Sequence, residues 1–461
     1  MKVCFVIPDG VGIRNYLFSS LIGNLIDSDI AISIWHRLDR AVLANIEELH
    51  GKEFESMPLT YESEPLAGRI FKEAAVYARL KNNVRLDSNP TTFLDWNIKD
   101  KPFKKRLLLQ LSESIGKLLK NYQSILIAEK FYYQKIKETK DFQTAIQVLK
   151  KSKPDLLFCT HQRSPEAAMA IEAAKYLNIP TVSVIYSWDN LPKGRLVVKS
   201  DQYIVWSDYM KAELIKYYPE IIEDQIFVLG TPQFDFHTDV SQIEEREKFA
   251  SVHNLDPGKN WICFSGDDEM TSPYDPLFLR DLAEVTKGMN NVELIFRPVP
   301  VSGHSRYLEV LSKSPHIKVI SPRWNRSESW SYSYPLYEDV SMLSTLAAHC
   351  ELVLNVGSTM ALDFACFNKP SIYLNYLPEG GDEKLWKPSM IYDRQHFRTM
   401  NDKDAVCWGN SKEELGLLIK KIIQDPQDVA KGRLDWLNFV RKDNGSEGAS
   451  KQIATFILNT V

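Results

Sequence analysis

Short, continuous apolar runs that recur between helical stretches constrain this chain more than any other feature. Residues 2 to 8 form one such run, a turn with Gly10 and Gly12 follows, and apolar positions then fall at Ile13, Leu17, Leu21, Ile22, Leu25 and Ile26 before a second run from Ile30 to Trp35. A strand, a tight loop, a buried helix and a strand make a βαβ opening. The alternation resumes at residue 155. Asp155 to Cys159 reads as a strand, Ser164 with Pro165 as the N-cap and first position of a helix to Leu177, and Pro180 precedes a strand from Thr181 to Tyr186. Further strands follow at Gln202 to Trp206 and Ile226 to Leu229, and the second half repeats the grammar at 261–265, 292–296, 317–320, 352–355 and 371–374. Apolar strands separated by helices predict parallel sheets covered on both faces. The fold class expected is therefore α/β, with two tandem doubly wound, Rossmann-like domains. The first spans 1–231 with a helical insertion at about 40–150 that has no clear strands, 232–258 reads as a linker, and the second domain spans 259–445.

Composition allows this. The 461 residues are 44% apolar and 25% charged, enough to build two cores. The formal net charge of −4 gives no whole-chain cationic field, so no nucleic acid is expected as a partner. Six cysteines (Cys4, Cys159, Cys263, Cys350, Cys366, Cys407) form no CxxC pair and no zinc spacing, so they read as reduced thiols and no metal is expected; no cofactor is expected either. The N-terminal apolar run, cut at Asp9, is too short for a signal peptide or a spanning helix, which predicts a cytoplasmic protein. One segment departs from the acidic average. Residues 101 to 130 hold Lys101, Lys104, Lys105, Arg106, Lys117, Lys120 and Lys130 against Glu113 and Glu129, with Phe103, Leu107, Leu111, Ile115, Leu118, Leu119 and Tyr122 at helical spacing. A solvated basic face is the plainer reading; the sharper one is a surface for anionic lipid or an anionic, lipid-linked substrate.

In doubly wound sheets ligands bind beyond the carboxyl ends of the strands. The segment 355 to 374, NVGSTMALDFACFNKPSIYL, ends a buried strand at Asn355, turns at Gly357 and opens a helix with Ser358 and Thr359. Hydroxyls on a helix N-terminus suit a phosphate or diphosphate, and Asp363, one turn on, suits ribose hydroxyls. Neighbouring strand ends add Ser265 and Gly266 in a Gly-turn loop, Arg297 with His304 behind it as cations for phosphate, and Ser321 with Trp324. Together these predict a nucleotide-diphosphate pocket.

On these motifs the C-terminal half resembles the donor domain of GT-B glycosyltransferases. SWDNLPKG at 187–194, VWSDYM at 205–210 and VLGTPQFD at 228–235 look like surface-polysaccharide transferases related to the CDP-glycerol glycerophosphotransferase and UDP-N-acetylglucosamine 2-epimerase branch. The resemblance covers residues 1–35 and 155–375. It implies GT-B architecture with the two domains facing across a cleft, and a final helix at 446–461 (Ile453, Phe456, Ile457) returning to the first domain. It also implies a nucleotide-sugar donor, a glycan or lipid-linked acceptor, and peripheral contact with the inner membrane face through 101–130. Two departures matter. The phosphotransferase branch usually has His-Pro where Arg297-Pro298 stands, and the paired glutamates of many retaining enzymes match Asn355 and Asp363, which points to inversion.

The activity so implied is metal-independent, inverting glycosyl transfer in surface polysaccharide biosynthesis. Such transfer needs a base for the acceptor hydroxyl and donors for the departing diphosphate. The base candidates at first-domain strand ends are Asp9, beside the Gly10/Gly12 turn, then His161, then Asp189, with Trp188 and Asn190 shaping an acceptor-side loop. Their plainer roles are a helix cap, a core histidine and a turn. Three alternatives remain: a nucleotide-sugar epimerase or hydrolase, a glycerophosphotransferase-like enzyme using the same pocket, and an NAD-dependent dehydrogenase. The last is disfavoured because Arg14 and Asn15 stand where GxGxxG needs its last glycine.

Overall fold

Each apolar run becomes a strand because only a strand buried on both faces can hide it, and residues such as Phe5, Phe158, Ile262 and Leu354 have no exposed surface. The computed structural model describes residues 1–300, 304–327, 332–400 and 403–460. The chain forms two units, Met1–Pro232 with Val440–Val461, and Gln233–Phe439.

The first unit is built on a seven-stranded, all-parallel sheet of β1 (Lys2–Ile7), β2 (Ala31–His36), β3 (Glu55–Pro58), β4 (Leu156–Cys159), β5 (Thr181–Val184), β6 (Gln202–Val205) and β7 (Ile226–Val228), in the order β3-β2-β1-β4-β5-β6-β7. The order reverses between β1 and β4, which lie side by side with Val3 opposite Leu156 and Val6 opposite Cys159. Its helices are α1 (Ser20–Asp27), α2 (Arg40–His50), α3 (Leu66–Asp87), α4 (Phe103–Gly116), α5 (Tyr122–Lys137), α6 (Lys140–Ser152), α7 (Pro165–Tyr176) and α8 (Asp208–Tyr217). The start of α7 follows from its sequence: Ser164 Oγ accepts from Ala167 N at 3.2 Å, and Pro165 fills a position that needs no donor.

Three expectations change in this unit and beyond. The stretch from Ile13 is not one helix. Gly10–Gly12 makes a 3₁₀ turn capped by Asp9, Ile13–Leu17 makes a π-type turn closed by Phe18 N to Ile13 O at 3.0 Å, and α1 begins only after the Ser19 cap. The helical insertion contains β3, an edge strand of sequence ESMP whose polar residues carry no apolar signal. The segment 232–258 is no open linker. It holds helices Asp235–Thr238 and Arg246–His253, Phe249 and Ala250 join the core around Trp261, and Arg246 stacks its guanidinium 3.8 Å from the Trp261 ring centroid.

The second unit has a six-stranded parallel sheet of β8 (Asn260–Ser265), β9 (Val292–Arg297), β10 (Lys318–Val319), β13 (Leu352–Asn355), β14 (Ser371–Leu374) and β15 (Cys407–Gly409), ordered β10-β9-β8-β13-β14-β15. A short antiparallel pair, β11 (Trp324–Asn325) with β12 (Tyr334–Pro335), lies outside it. Here the order reverses between β8 and β13. The C-terminal helix, Gly448–Thr460, belongs to the first unit, where it packs on α1 and sets Phe456 4.5 Å from Phe227.

Candidate functional site

The reversal of strand order opens a crevice at the strand ends, and in the first unit that crevice lies after β1 and β4. Asp9 follows β1 and His161 follows β4. They meet there, with Asp9 Oδ2 2.7 Å from His161 Nδ1, and both are more than nine-tenths buried. Asp9 Oδ1 accepts from Val11 N at 3.1 Å, so the carboxylate is fixed by the turn it caps. A carboxylate only accepts; Nδ1 therefore carries the proton, and Nε2 is left with its lone pair. No group among the described residues hydrogen-bonds Nε2. Such a pair can serve as an oriented base, with Asp9 as orienter rather than as the base itself.

The Tyr186 ring stands edge-on to His161 at 4.6 Å. Arg163 donates to Asn190 Oδ1 at 2.9 Å and to Tyr186 Oη at 3.4 Å, both neutral partners, so a positive charge sits beside the base. Asp189 is otherwise engaged: it accepts from Ser187 Oγ at 2.6 Å and pairs with Lys193 at 2.5 Å. Burial pulls the Lys193 ammonium down, yet Asp189 and Asp95 outweigh it and the net shift is upward. Asp189 thus shapes the loop in which Trp188 and Asn190 are buried. Gly12 also serves packing, since a Cβ there would lie 2.2 Å from Thr160 Oγ1; the Gly10/Gly12 turn is filled by Thr160 rather than open to a substrate.

In the second unit the crevice lies after β8 and β13, where Ser265-Gly266-Asp267 and Asn355-Val356-Gly357-Ser358 come together. Gly357 takes φ +68°, and an added Cβ would meet Ile391 and Phe397 at 2.8 and 2.9 Å. Ser358 N donates to Asn355 Oδ1 at 2.9 Å, Tyr373 Oη donates to Ser358 O at 3.2 Å, and Thr359 is exposed. The helix they open, Met360–Ala365, is short, which limits its dipole. Asp275, a buried acceptor, holds the β8 loop through Asp267 N at 2.5 Å, Tyr307 Oη at 3.0 Å and Arg306 at 3.3 Å. Burial pushes the Asp275 carboxyl up to about 6. Burial, then the carboxylates of Asp275 and Asp268, holds Asp267 well above the ordinary carboxylate value.

Several expected donor contacts are corrected. Arg297 is buried, and its Nη2 bonds both oxygens of Asp339 at 3.0 and 2.9 Å. Asp339 also accepts from Arg323 N and from Trp324 Nε1, each at 2.8 Å. Arg297 and Trp324 therefore brace the ends of β9 and β10 and have no donor to spare for a phosphate on Asp339's side. Asp363 is buried as well, with His237 Nε2 2.9 Å from its Oδ1 while His237 Nδ1 meets Ser344 Oγ at 3.0 Å. This interior pair takes the place of the expected ribose contact. His304 and Ser321 are exposed and follow β9 and β10 in the chain. Sequence reasoning passes over Asp267, Arg163 and Tyr186. The run SGDDE is the available signal for the first, since adjacent carboxylates on a strand end raise one another's pKa.

The two doubly wound parallel sheets define the fold class: an α/β protein of GT-B type. The chain is similar to UDP-GlcNAc 2-epimerase from Neisseria meningitidis bound to UDP-GlcNAc, at 14% identity and TM-score 0.56 over 100% of both chains. It is similar also to the UDP-GlcNAc 2-epimerase of Methanocaldococcus jannaschii in complex with UDP-GlcNAc and UDP, at 14% identity and TM-score 0.52 over 100% of both. A glycosyltransferase from Rickettsia africae ESF-5 matches at 11% identity and TM-score 0.52, over 100% of this chain and 99% of that one. At such identities the likeness is one of fold. No family model matches the chain, and no curated protein matches it.

Proposed function

We propose that this protein is a nucleotide-sugar enzyme that transfers a sugar to an acceptor hydroxyl of a glycan or lipid-linked saccharide, in surface polysaccharide assembly, with inversion and without a metal. The observation that carries the reading is the Asp9–His161 pair at the β1/β4 crevice, with Nε2 unengaged. His161 Nε2 takes the acceptor proton, the acceptor oxygen bonds to the anomeric carbon, and the bond to the nucleoside diphosphate breaks with its electron pair leaving on the diphosphate. Asp9 holds the tautomer and stabilises the imidazolium that forms. The donor binds at the β8/β13 crevice of the second unit. Asp267, whose carboxyl is pushed upward by burial and by Asp275 and Asp268, ends the β8 loop at that crevice, and in its neutral form it donates to a phosphate oxygen that its ionised form would repel. Likeness of fold to proteins solved with UDP-GlcNAc and UDP supports the donor class.

A second reading, epimerisation of the nucleotide sugar with no acceptor, is supported by the likeness of fold to two UDP-GlcNAc 2-epimerases. The two readings separate in deuterated water. Transfer releases nucleoside diphosphate only when an acceptor is present and leaves the sugar carbons protonated. Epimerisation puts deuterium at the inverted carbon of the nucleotide sugar with no acceptor added.

A further inference from the structure

The proposed activity makes no use of the outer face of α4. That face carries Phe103, Leu107 and Leu111, at 75%, 51% and 49% exposure, one turn apart, while Leu109, Ser112 and Gly116 form the buried face on the opposite side. Leu118, in the turn that follows, is 73% exposed. A stripe of large apolar side chains left in water marks a surface that is covered in use.

The charges around it say by what. Lys104 and Arg106 are exposed beside the apolar positions, with Lys101 just ahead of them, whereas Lys105, one and two turns before Leu109 and Ser112, stands on the opposite side of the helix. Glu129, which offsets them in the sequence, turns inward: Arg79 Nε and Nη2 bond its two oxygens at 2.6 and 3.0 Å, and Lys199 lies 3.6 Å away. The field at the surface is thus more positive than the sequence count. Beyond the C-terminal end of α4, Lys81, Arg85, Lys117 and Lys120 line a groove of about 400 Å³.

We propose that α4 is a membrane-surface helix, laying Phe103, Leu107 and Leu111 into the interface of an anionic lipid bilayer while Lys101, Lys104 and Arg106 meet its headgroup phosphates. A second copy of the chain fits less well, because a two-fold contact on this face would set the same cations against each other. No helix among the described residues is long and apolar enough to cross a membrane, so attachment here is lateral.

The test is co-sedimentation of the whole protein with vesicles of phosphatidylcholine, with and without phosphatidylglycerol, at low and high salt. Wild type should pellet with the anionic vesicles at low salt and be released at high salt. Partitioning should fall by at least roughly tenfold when Lys101, Lys104 and Arg106 become Gln, and likewise when Phe103, Leu107 and Leu111 become Ser. Phe103→Trp, which leaves the stripe apolar, should show a blue-shifted emission on adding anionic vesicles. No pelleting of wild type at low salt, undiminished pelleting of the Ser variant, or an emission of the Phe103→Trp variant that vesicles leave unmoved would each overturn the proposal. So would a dimer, seen by light scattering, that the Ser substitutions convert to monomer.

Discussion

In the reaction proposed, His161 and Asp9 divide a role that the sequence offers to either of them. Both stand at strand ends, which is legible in the apolar runs before them, but they lie 152 residues apart and become partners only because β1 and β4 are neighbours. No spacing rule carries that. Asp9→Asn should keep nucleotide affinity and lower kcat by about 10² or more, since an amide no longer fixes the Nδ1–H tautomer; steady-state kinetics that show a KM effect alone would speak against it. Asp267 gives a pH dependence with a definite sign. Its raised carboxyl keeps its proton above the ordinary range, so nucleoside diphosphate binding should weaken as pH rises through that raised value. Calorimetric titration should find Asp267→Asn binding with the pH dependence gone. Arg297 reads as a phosphate cation from its place after a strand, and burial against Asp339 reverses the expectation. Arg297→Ala should cost about 3 kcal/mol of stability by stranding a buried carboxylate, with nucleotide affinity of the folded protein little changed, as denaturation and binding measured together will report.

At the scale of elements, the strands with strong apolar runs are legible to within a few residues, and β14 (Ser371–Leu374) coincides with its run. Elements without such a run are not. The ESMP strand buries only Met57, and the short helices after residue 232 are held by contacts with Trp261 and the helix Tyr337–His349, which lie far on in the chain. The helical insertion is fastened in a similar way. Arg79 of α3, almost wholly buried, bonds Glu129 of α5, Glu220 at 3.0 Å, Tyr122 Oη at 2.6 Å and the Tyr217 carbonyl at 3.1 Å, so α3, α5 and the end of α8 share one cation. Burial acts to raise Glu220, but Lys199 and Arg79 outweigh it and bring the carboxyl down to about 2. A depressed carboxylate stabilises the fold above its unfolded pKa, and that share is lost as the proton binds. Thermal unfolding should therefore show stability falling as pH drops below about 4.5 toward 2, more shallowly in Glu220→Gln. An equal slope in the variant would mean that the network does not govern acid sensitivity.

For the molecule as a whole, the βα alternation is enough to read two doubly wound sheets, because a strand buried on both faces has to be continuous and apolar. It cannot give the strand order, and hence not the crevices at β1/β4 and β8/β13, since order is decided by which crossover goes to which side. That is why Ser265, Gly266, Gly357 and Ser358 fall at a crevice while Arg297, His304, Ser321 and Trp324, from equally plausible strand ends, fall one or more strands away. The division of labour proposed here, base on the first unit and donor site on the second, is tested most directly by following nucleoside diphosphate release from a panel of UDP-, GDP-, CMP- and TDP-sugars, with a mixed glycan acceptor, for wild type and His161→Asn. The expected result is turnover of one donor class by wild type and a fall of about 10² to 10⁴ in kcat for the variant, with donor affinity retained. Turnover by His161→Asn at the wild-type rate, or binding of none of these nucleotides by wild type, would contradict it.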